Sequence, residues 1–362
     1  MSTDSKYYNA FNLIPEIGPA RFKKICARFK NLSDAWKAGR QELLYAGLEE
    51  KICGTIINYR LKINPDAEWE KLLKEKISVI TIKDQNYPKL LKEIPAPPAI
   101  LYYRGDLSDF EFPLAVVGSR KVSSYGRQAV ADLVSDLTRS GMTIVSGMAL
   151  GVDTAAHEAA LAAGGKTIAI LASGLDNSNP SFGSRKKLAD KIIPNGAIVS
   201  EFPIGMPALK QNFPIRNRII SGFSLGVLIV EAAEASGALI TAKYALEHNR
   251  EVFAVPGSVY WPNSAGTNNL IKAGAKMVTR FDDVLEELNL TKIKDYINNR
   301  SIVSSTPEEQ VILSVLNSEP AHLDAIAKKS GFGAAKAASI LMLMEMKGAV
   351  KNLGGGNYTI LK

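Results

Sequence analysis

The chain is poor in the residues that most often carry metal or covalent chemistry. It has two cysteines, Cys26 and Cys53, and three histidines, His157, His248 and His322, among 362 residues. Two cysteines fit neither a disulfide framework nor a clustered metal site, and each falls in a helix-like apolar pattern, so both read as structural. The histidines stand far apart with no metal-ligand spacing, and His157 reads as a core or capping group. There is no G-x-x-x-x-G-K-[ST] segment, so ATP binding of the P-loop type is not signalled. No apolar run approaches the roughly eighteen residues that a membrane helix needs, and the opening MSTDSKYYNAF lacks signal-peptide character. A cytoplasmic chain with no cofactor, no metal and no membrane partner is therefore expected.

What is present is a positive charge with an uneven distribution. The formal net charge is +8, and residues 120–218 hold 12 Lys/Arg against 7 Asp/Glu. Such a block hints at a polyanionic partner if its cations fall on one edge of the fold. The chain itself divides in three. Residues 1–75 show helical apolar spacing on both sides of a Pro-Glu-Ile-Gly-Pro turn. Residues 77–288 alternate short β-branched runs (VITI, AILYY, LAVVG, MTIVSG, TIAIL, AIVS, LGVLIVEA, EVFAVPG) with helical patterns, which predicts βαβ units and a parallel sheet in an α/β domain. Residues 289–305 read as a polar linker, and 306–362 as three short helices followed by a hairpin with a glycine-rich turn.

The first βα turn of a dinucleotide-binding sheet needs G-x-G-x-x-G so that the pyrophosphate can reach the helix start. This chain has Gly118-Ser119-Arg120-Lys121 there, two cations in the cofactor's place. Three further small-residue loops, Ser146-Gly147-Met148, Ser173-Gly174-Leu175-Asp176 and Pro256-Gly257, fall at the same carboxyl edge, where ligands bind and helix N–H groups favour anions. Arg216 and Arg218 open a later helix in QNFPIRNRIISG, and at most one of them is expected to face that edge. In NPSFGSRKK, Phe182 stands beside Arg185, Lys186 and Lys187, where an aromatic among cations suits base stacking.

These motifs carry a resemblance. VVGSR, IVSGMALGVDTAAHEAAL, SGLD, FPIRNRIISG, VEAAEASGALITA, VPG and GTNNLIKAGA occur in the order seen in the DNA-processing protein A family, also called DprA or Smf. The resemblance covers residues 77–288, where it implies an extended Rossmann-like sheet that holds single-stranded DNA rather than a dinucleotide. It extends to IPEIGPARFKKI, which looks like a helix-hairpin-helix element, and to residues 306–362, which look like a winged helix. It implies a protein that protects incoming single strands in natural transformation and loads the RecA recombinase on them. By matching motifs, Gly118, Ser119, Arg120, Lys121, Ser146, Gly147, Arg216 and Asn217 would line the DNA track. The family's Tyr-Pro pair after GLD is replaced here by Asn179-Pro180 followed by Phe182 and Lys186; either Phe182 stacks a base or the loop only packs.

A second function class uses the same edge. Asp153, Glu201 and Glu231 fall near strand ends, and Pro256-Gly257 with Gly266-Thr267 resembles a split version of the loops of nucleotide phosphoribohydrolases, with Glu231 as the catalytic candidate. The end of the sheet domain also predicts a homodimer contact. Leu270, Ile271, Met277 and Val278 give NNLIKAGAKMVTRF more apolar surface than an exposed sheet edge should show, and the resemblance implies dimers through this domain. At the N-terminus Arg21, Lys23 and Lys24 follow the helical turn. In the C-terminal module Lys336, Ser339 and Lys347 leave the last helix few cations, favouring a partner or regulatory surface over duplex DNA.

Overall fold

Six short helices open the chain: α1 (Ser5–Asn12), α2 (Pro19–Arg28), α3 (Leu32–Lys37), α4 (Arg40–Tyr45), α5 (Glu50–Arg60) and α6 (Pro65–Lys74). Pro19 begins α2 at the position where a missing N–H is harmless, so the predicted turn is also a helix start. In this computed structural model, which describes residues 4–108, 110–290, 306–316, 320–346 and 350–360, the helices bury an aromatic knot. Tyr8 stacks on Phe22 at 5.9 Å, and Phe11 meets Trp36 edge-on at 5.0 Å. That knot is continuous with the sheet that follows. The Tyr102 hydroxyl donates to Asn9 Oδ1 at 2.7 Å and accepts from Asn12 Nδ2 at 3.1 Å. The helices and sheet thus belong to one unit that ends at Leu290.

The sheet has nine strands: β1 (Ser78–Thr81), β2 (Ile100–Gly105), β3 (Leu114–Val117), β4 (Ile144–Ser146), β5 (Thr167–Leu171), β6 (Gly196–Ser200), β7 (Gly226–Ile229), β8 (Glu251–Ala254) and β9 (Lys276–Met277). Their order is β1-β2-β6-β5-β4-β3-β7-β8-β9. From β6 to β9 every neighbouring pair is parallel. The first two strands add an antiparallel edge to the expected parallel sheet: β1 pairs antiparallel with β2, and β2 with β6. Their connection holds only the one-turn α7 (Lys89–Lys92) and folds back on itself, Tyr87 Oη donating to Pro98 O at 2.7 Å. No crossover helix carries the chain to the other end of the sheet, so the strand returns antiparallel.

Strands buried on both faces read as unbroken apolar runs, and β3, β5 and β7 are buried at every residue. Successive side chains of β3 still divide between the faces. Leu114 and Val116 join the core beneath α8 (Ser124–Arg139) and α9 (Val152–Ala162). Ala115 and Val117 join the core beneath α12 (Asn212–Gly222) and α13 (Ala238–Glu247). Two shorter helices, α10 (Pro180–Gly183) and α11 (Lys186–Ile192), lie between β5 and β6, while α14 (Pro262–Lys272) and α15 (Asp282–Glu287) flank β9 in sequence. From β3 the chain builds outward to β4, β5 and β6; from β7 it builds the other way to β8 and β9. The crevice between β3 and β7 is therefore the topological switch point, where sheets of this kind bind ligands.

The second unit packs helices Pro307–Leu316, Leu323–Ser330 and Ala334–Met346 with an antiparallel sheet of β10 (Ala321–His322), β11 (Val350–Gly354) and β12 (Asn357–Ile360). Ile312, Leu316, Ile326, Leu341 and Val350 form its core. The β11–β12 turn uses Gly354, Gly355 and Gly356, all at positive φ (93°, 60° and 76°), a run that side chains other than glycine's resist. Of the expected linker, 289–305, only residues 289 and 290 lie within the described residues.

Candidate functional site

At the switch point the loops after β3 and β7 and the start of α12 surround a cavity of about 500 Å³. Its cationic side is formed by Arg120 and Lys121, with Phe213, Arg216 and Asn217 behind them, and the loop that starts α13 closes the far side.

Arg216 is the anchor. It is 4% exposed, and its Nη1 donates to Gly147 O at 2.7 Å and to Ile170 O at 2.5 Å, so carbonyls at the ends of two strands receive it. Its Nε donates to Asn217 Oδ1 at 3.1 Å, and Asn217 Nδ2 reaches Gly237 O at 3.3 Å, tying α12 to the α13 loop. Gly147 is glycine because a Cβ there would stand 2.5 Å from Arg216 Nη1. Burial pulls the Arg216 guanidinium down to about 10; Asp153 opposes this, and Arg185 and Arg120 add to it. The group still carries its charge at neutral pH. Asp153, on the first turn of α9, accepts from the N–H groups of Gly147 (3.1 Å) and Ala149 (3.3 Å). Burial pushes its carboxyl upward, with Arg216, those two N–H groups and Arg185 pulling the other way. A buried carboxylate thus lies in the field of Arg216 and Arg185, and Arg120 in turn acts on both arginines. With Asp153 counted, Arg120, Arg185 and Arg216 leave the cluster an excess of positive charge.

Phe213 joins the cations. The Arg120 guanidinium carbon lies 4.8 Å from the centre of its ring, and that of Arg216 lies 5.8 Å away. Arg120 and Lys121 are exposed, and no carboxylate among the described residues pairs with either. Their loop is fixed from below. Ser119 N donates to Glu231 O at 2.7 Å, Lys121 N to Ser119 Oγ at 3.1 Å, and Asn263 Nδ2 to Lys121 O at 3.1 Å. The close approach continues at Gly151, whose φ of +86° and distance of 2.2 Å from a would-be Cβ to Ser119 O both demand glycine.

The structure brings Gly118, Ser119, Arg120, Lys121, Arg216 and Asn217 together and sends other expected residues elsewhere. Ser146 is fully buried, and its hydroxyl donates to Val116 O at 2.6 Å, so it crosses between strands instead of facing a ligand. Gly147 has its N–H on Asp153 and its carbonyl on Arg216, so it shapes the site and offers no free donor. Phe182 is 1% exposed within the core cluster that includes Leu175, Ala189 and Ile192, and Arg104 lies over its ring at 5.4 Å, which corrects the stacking role. Lys186 is exposed at the start of α11, whereas its neighbour Arg185 is half-buried in the field of Asp153 and Arg120. Sequence reasoning thus passed over Phe213 and named Arg185 only as a neighbour of Phe182. Both sit in quoted motifs, three residues before Arg216 and three after Phe182.

The carboxylates of the enzymatic alternative are all engaged. Glu231 is 1% exposed and accepts from Ser123 N (2.9 Å) and Ser123 Oγ (2.5 Å), bracing the start of α8. Glu201 pairs with Arg218 through both oxygens, which also settles which of the two α12 arginines leaves the ligand edge. His157, also fully buried, has Nδ1 2.7 Å from Thr167 Oγ1, and burial lowers it to about 3, so it is a neutral core group. Of the apolar edge residues, Val278 is wholly buried and so is not available to a second copy, while Leu270 is partly buried against the core. Met277, one residue earlier and therefore on the other side of the chain, is 49% exposed, and with Ile271 it lines a depression of about 440 Å³. At the N-terminus Arg21 and Lys24 both pair with Glu49.

Known proteins resemble this chain in sequence and in fold. A sequence model of the DNA recombination-mediator protein A family matches residues 78–289, and one of the DprA winged helix domain matches residues 298–356. Protein Smf of Synechocystis is 33% identical, with 99% of each chain covered. The X-ray structure of DNA processing protein A from Streptococcus pneumoniae superposes with a TM-score of 0.69 at 37% identity, covering 78% of this chain and 97% of that one. A structure of the Helicobacter pylori protein, described for its single-stranded DNA binding mode, matches at a TM-score of 0.52 and 31% identity over 59% of this chain and 95% of its own.

Proposed function

The chain belongs to the DNA recombination-mediator protein A (DprA/Smf) family, and from that membership we propose that it binds single-stranded DNA at the switch-point cavity, without catalysis. The observation that carries the reading is the exposed Arg120 stacked at 4.8 Å on Phe213, with buried Arg216 behind. A guanidinium beside an aromatic face offers charge to a phosphate and a flat surface to a base, and an unpaired strand presents both at once. A duplex hides its bases' faces. Arg216 acts here by fixing the loop after β4 and by adding its field, since its Nη1 and Nε donors are turned to groups of the chain itself.

Protection of the strand and loading of RecA follow from the family reading, as does work in the cytoplasm where strand and recombinase meet. The same reading includes a homodimer through the β9 edge, now resting on Ile271 and Met277. Two cavities on one two-fold particle would hold a long strand more tightly than a short one through effective concentration. The C-terminal module suits protein contact better than a DNA groove. Its last helix exposes Met342 (65%) and Leu343 (53%), while Lys336 is paired with Glu308 at 2.7 Å.

The test is fluorescence anisotropy of the full chain with a labelled oligothymidylate and with a duplex of equal length at one salt concentration. The reading predicts clearly tighter binding of the single strand. Equal affinity for both would overturn it.

A further inference from the structure

The loop between β8 and α14 presents Tyr260, 89% exposed, and Trp261, 48% exposed, and packing within the chain does not explain two large rings in water. Three observations indicate what they meet. The first is position: the loop leaves β8 at the same carboxyl edge as the cationic loop. Asn263, two residues beyond Trp261, lines the cavity itself and donates to Lys121 O at 3.1 Å.

The second is rigidity. Trp261 precedes Pro262, which restricts its backbone to the extended form observed (φ −99°, ψ 120°). Its N–H donates to Ser258 O at 3.1 Å, and its carbonyl accepts from Ser264 N at 2.9 Å. Its ring meets Tyr125 edge-on at 5.8 Å, and Tyr125 Oη is in turn fixed on Pro256 O at 2.6 Å. A ring held in this way loses little freedom when a ligand stacks on it. The third is division of labour within the loop. Val259 lines the depression with Ile271 and Met277, whereas Tyr260 and Trp261 do not.

The geometry points to a second base-stacking subsite, formed by Tyr260 and Trp261, that takes a nucleotide of a strand whose phosphates pass Arg120 and Lys121. It rests on the single-strand reading above. Flat rings beside cations bind any base through its face, so the subsite extends the track without imposing sequence.

The experiment uses the full chain, a labelled oligothymidylate and an abasic strand of the same length. Tyr260→Ala/Trp261→Ala should lose about tenfold or more in affinity for the oligothymidylate, keep its affinity for the abasic strand, and keep its oligomeric state by light scattering. Oligothymidylate should also quench tryptophan emission in the wild type and quench it much less in Trp261→Phe. If the double variant melts early, Tyr260→Ala alone, a change at a fully solvated ring, carries the affinity test. Unchanged affinity, equal loss on both strands, or conversion to a monomer would overturn the subsite, the last by making the rings a self-contact. Arg120→Ala separates the two readings. If it weakens binding while the aromatic variants do not, only the subsite fails; if the wild type binds neither strand, the single-strand reading itself fails.

Discussion

Residues 180–187 and 211–218 both contain Phe-x-x-Arg, and both arginines, Arg185 and Arg216, act on Asp153. Yet the rings end in opposite surroundings. Phe182 belongs to α10, a single turn that α11 follows almost at once, and it is sealed in the core with Arg104 above it. Phe213 lies in the first turn of an eleven-residue helix that opens on the cavity, and its ring stays half-buried near two guanidiniums. The difference teaches that an aromatic among cations is a ligand surface only where the helix carrying it starts at the ligand edge. A short covered turn turns the same residues inward.

The sharpest way to break this comparison is to truncate both rings. Phe182→Ala should destabilise the unit by about 3 to 5 kcal/mol in denaturant unfolding, while the folded protein keeps its affinity for single strands. Phe213→Ala should do the reverse, weakening oligonucleotide binding by about 1 to 3 kcal/mol with the unfolding midpoint nearly unmoved. Identical stability losses would erase the distinction. A smaller effect is expected at Arg120, which faces solvent. Arg120→Ala should flatten the log-log salt dependence of binding by roughly 0.7, one phosphate contact on a single strand; an unaltered slope in a folded variant would remove Arg120 from the track. Smallest is Ser146→Ala. It removes the hydroxyl partner of the Val116 carbonyl and should cost about 1 kcal/mol of stability with no change in DNA affinity, whereas a binding defect would restore Ser146 to the site.

The sheet was legible because parallel strands buried on both faces spell unbroken β-branched runs, and their loops spell Gly and Ser at each carboxyl end. The placing of Gly118, Ser119, Arg120 and Lys121 followed from that alone. What stayed hidden depended on contacts across long stretches of chain. Nothing near Ser146 shows that a carbonyl thirty residues earlier takes its hydroxyl. A four-residue helix is too short for apolar spacing to reveal that Phe182 points inward, and one residue's offset separates half-buried Arg185 from exposed Lys186. The antiparallel turn from β1 to β2 was invisible for a similar reason. Its strands look like any other buried strands, and only the absence of a full crossover helix between them distinguishes the direction. At the β9 edge, alternation divides Met277 from Val278, but the sequence does not say which of the two faces out.

The most direct measurement is photocrosslinking of the full chain to an oligonucleotide carrying a photoreactive thymine, followed by mapping of the modified peptides. The account predicts crosslinks at Phe213 and in residues 118–121, and none at Phe182. Crosslinks confined to residues 180–187, or to loops at the opposite edge of the sheet, would contradict it.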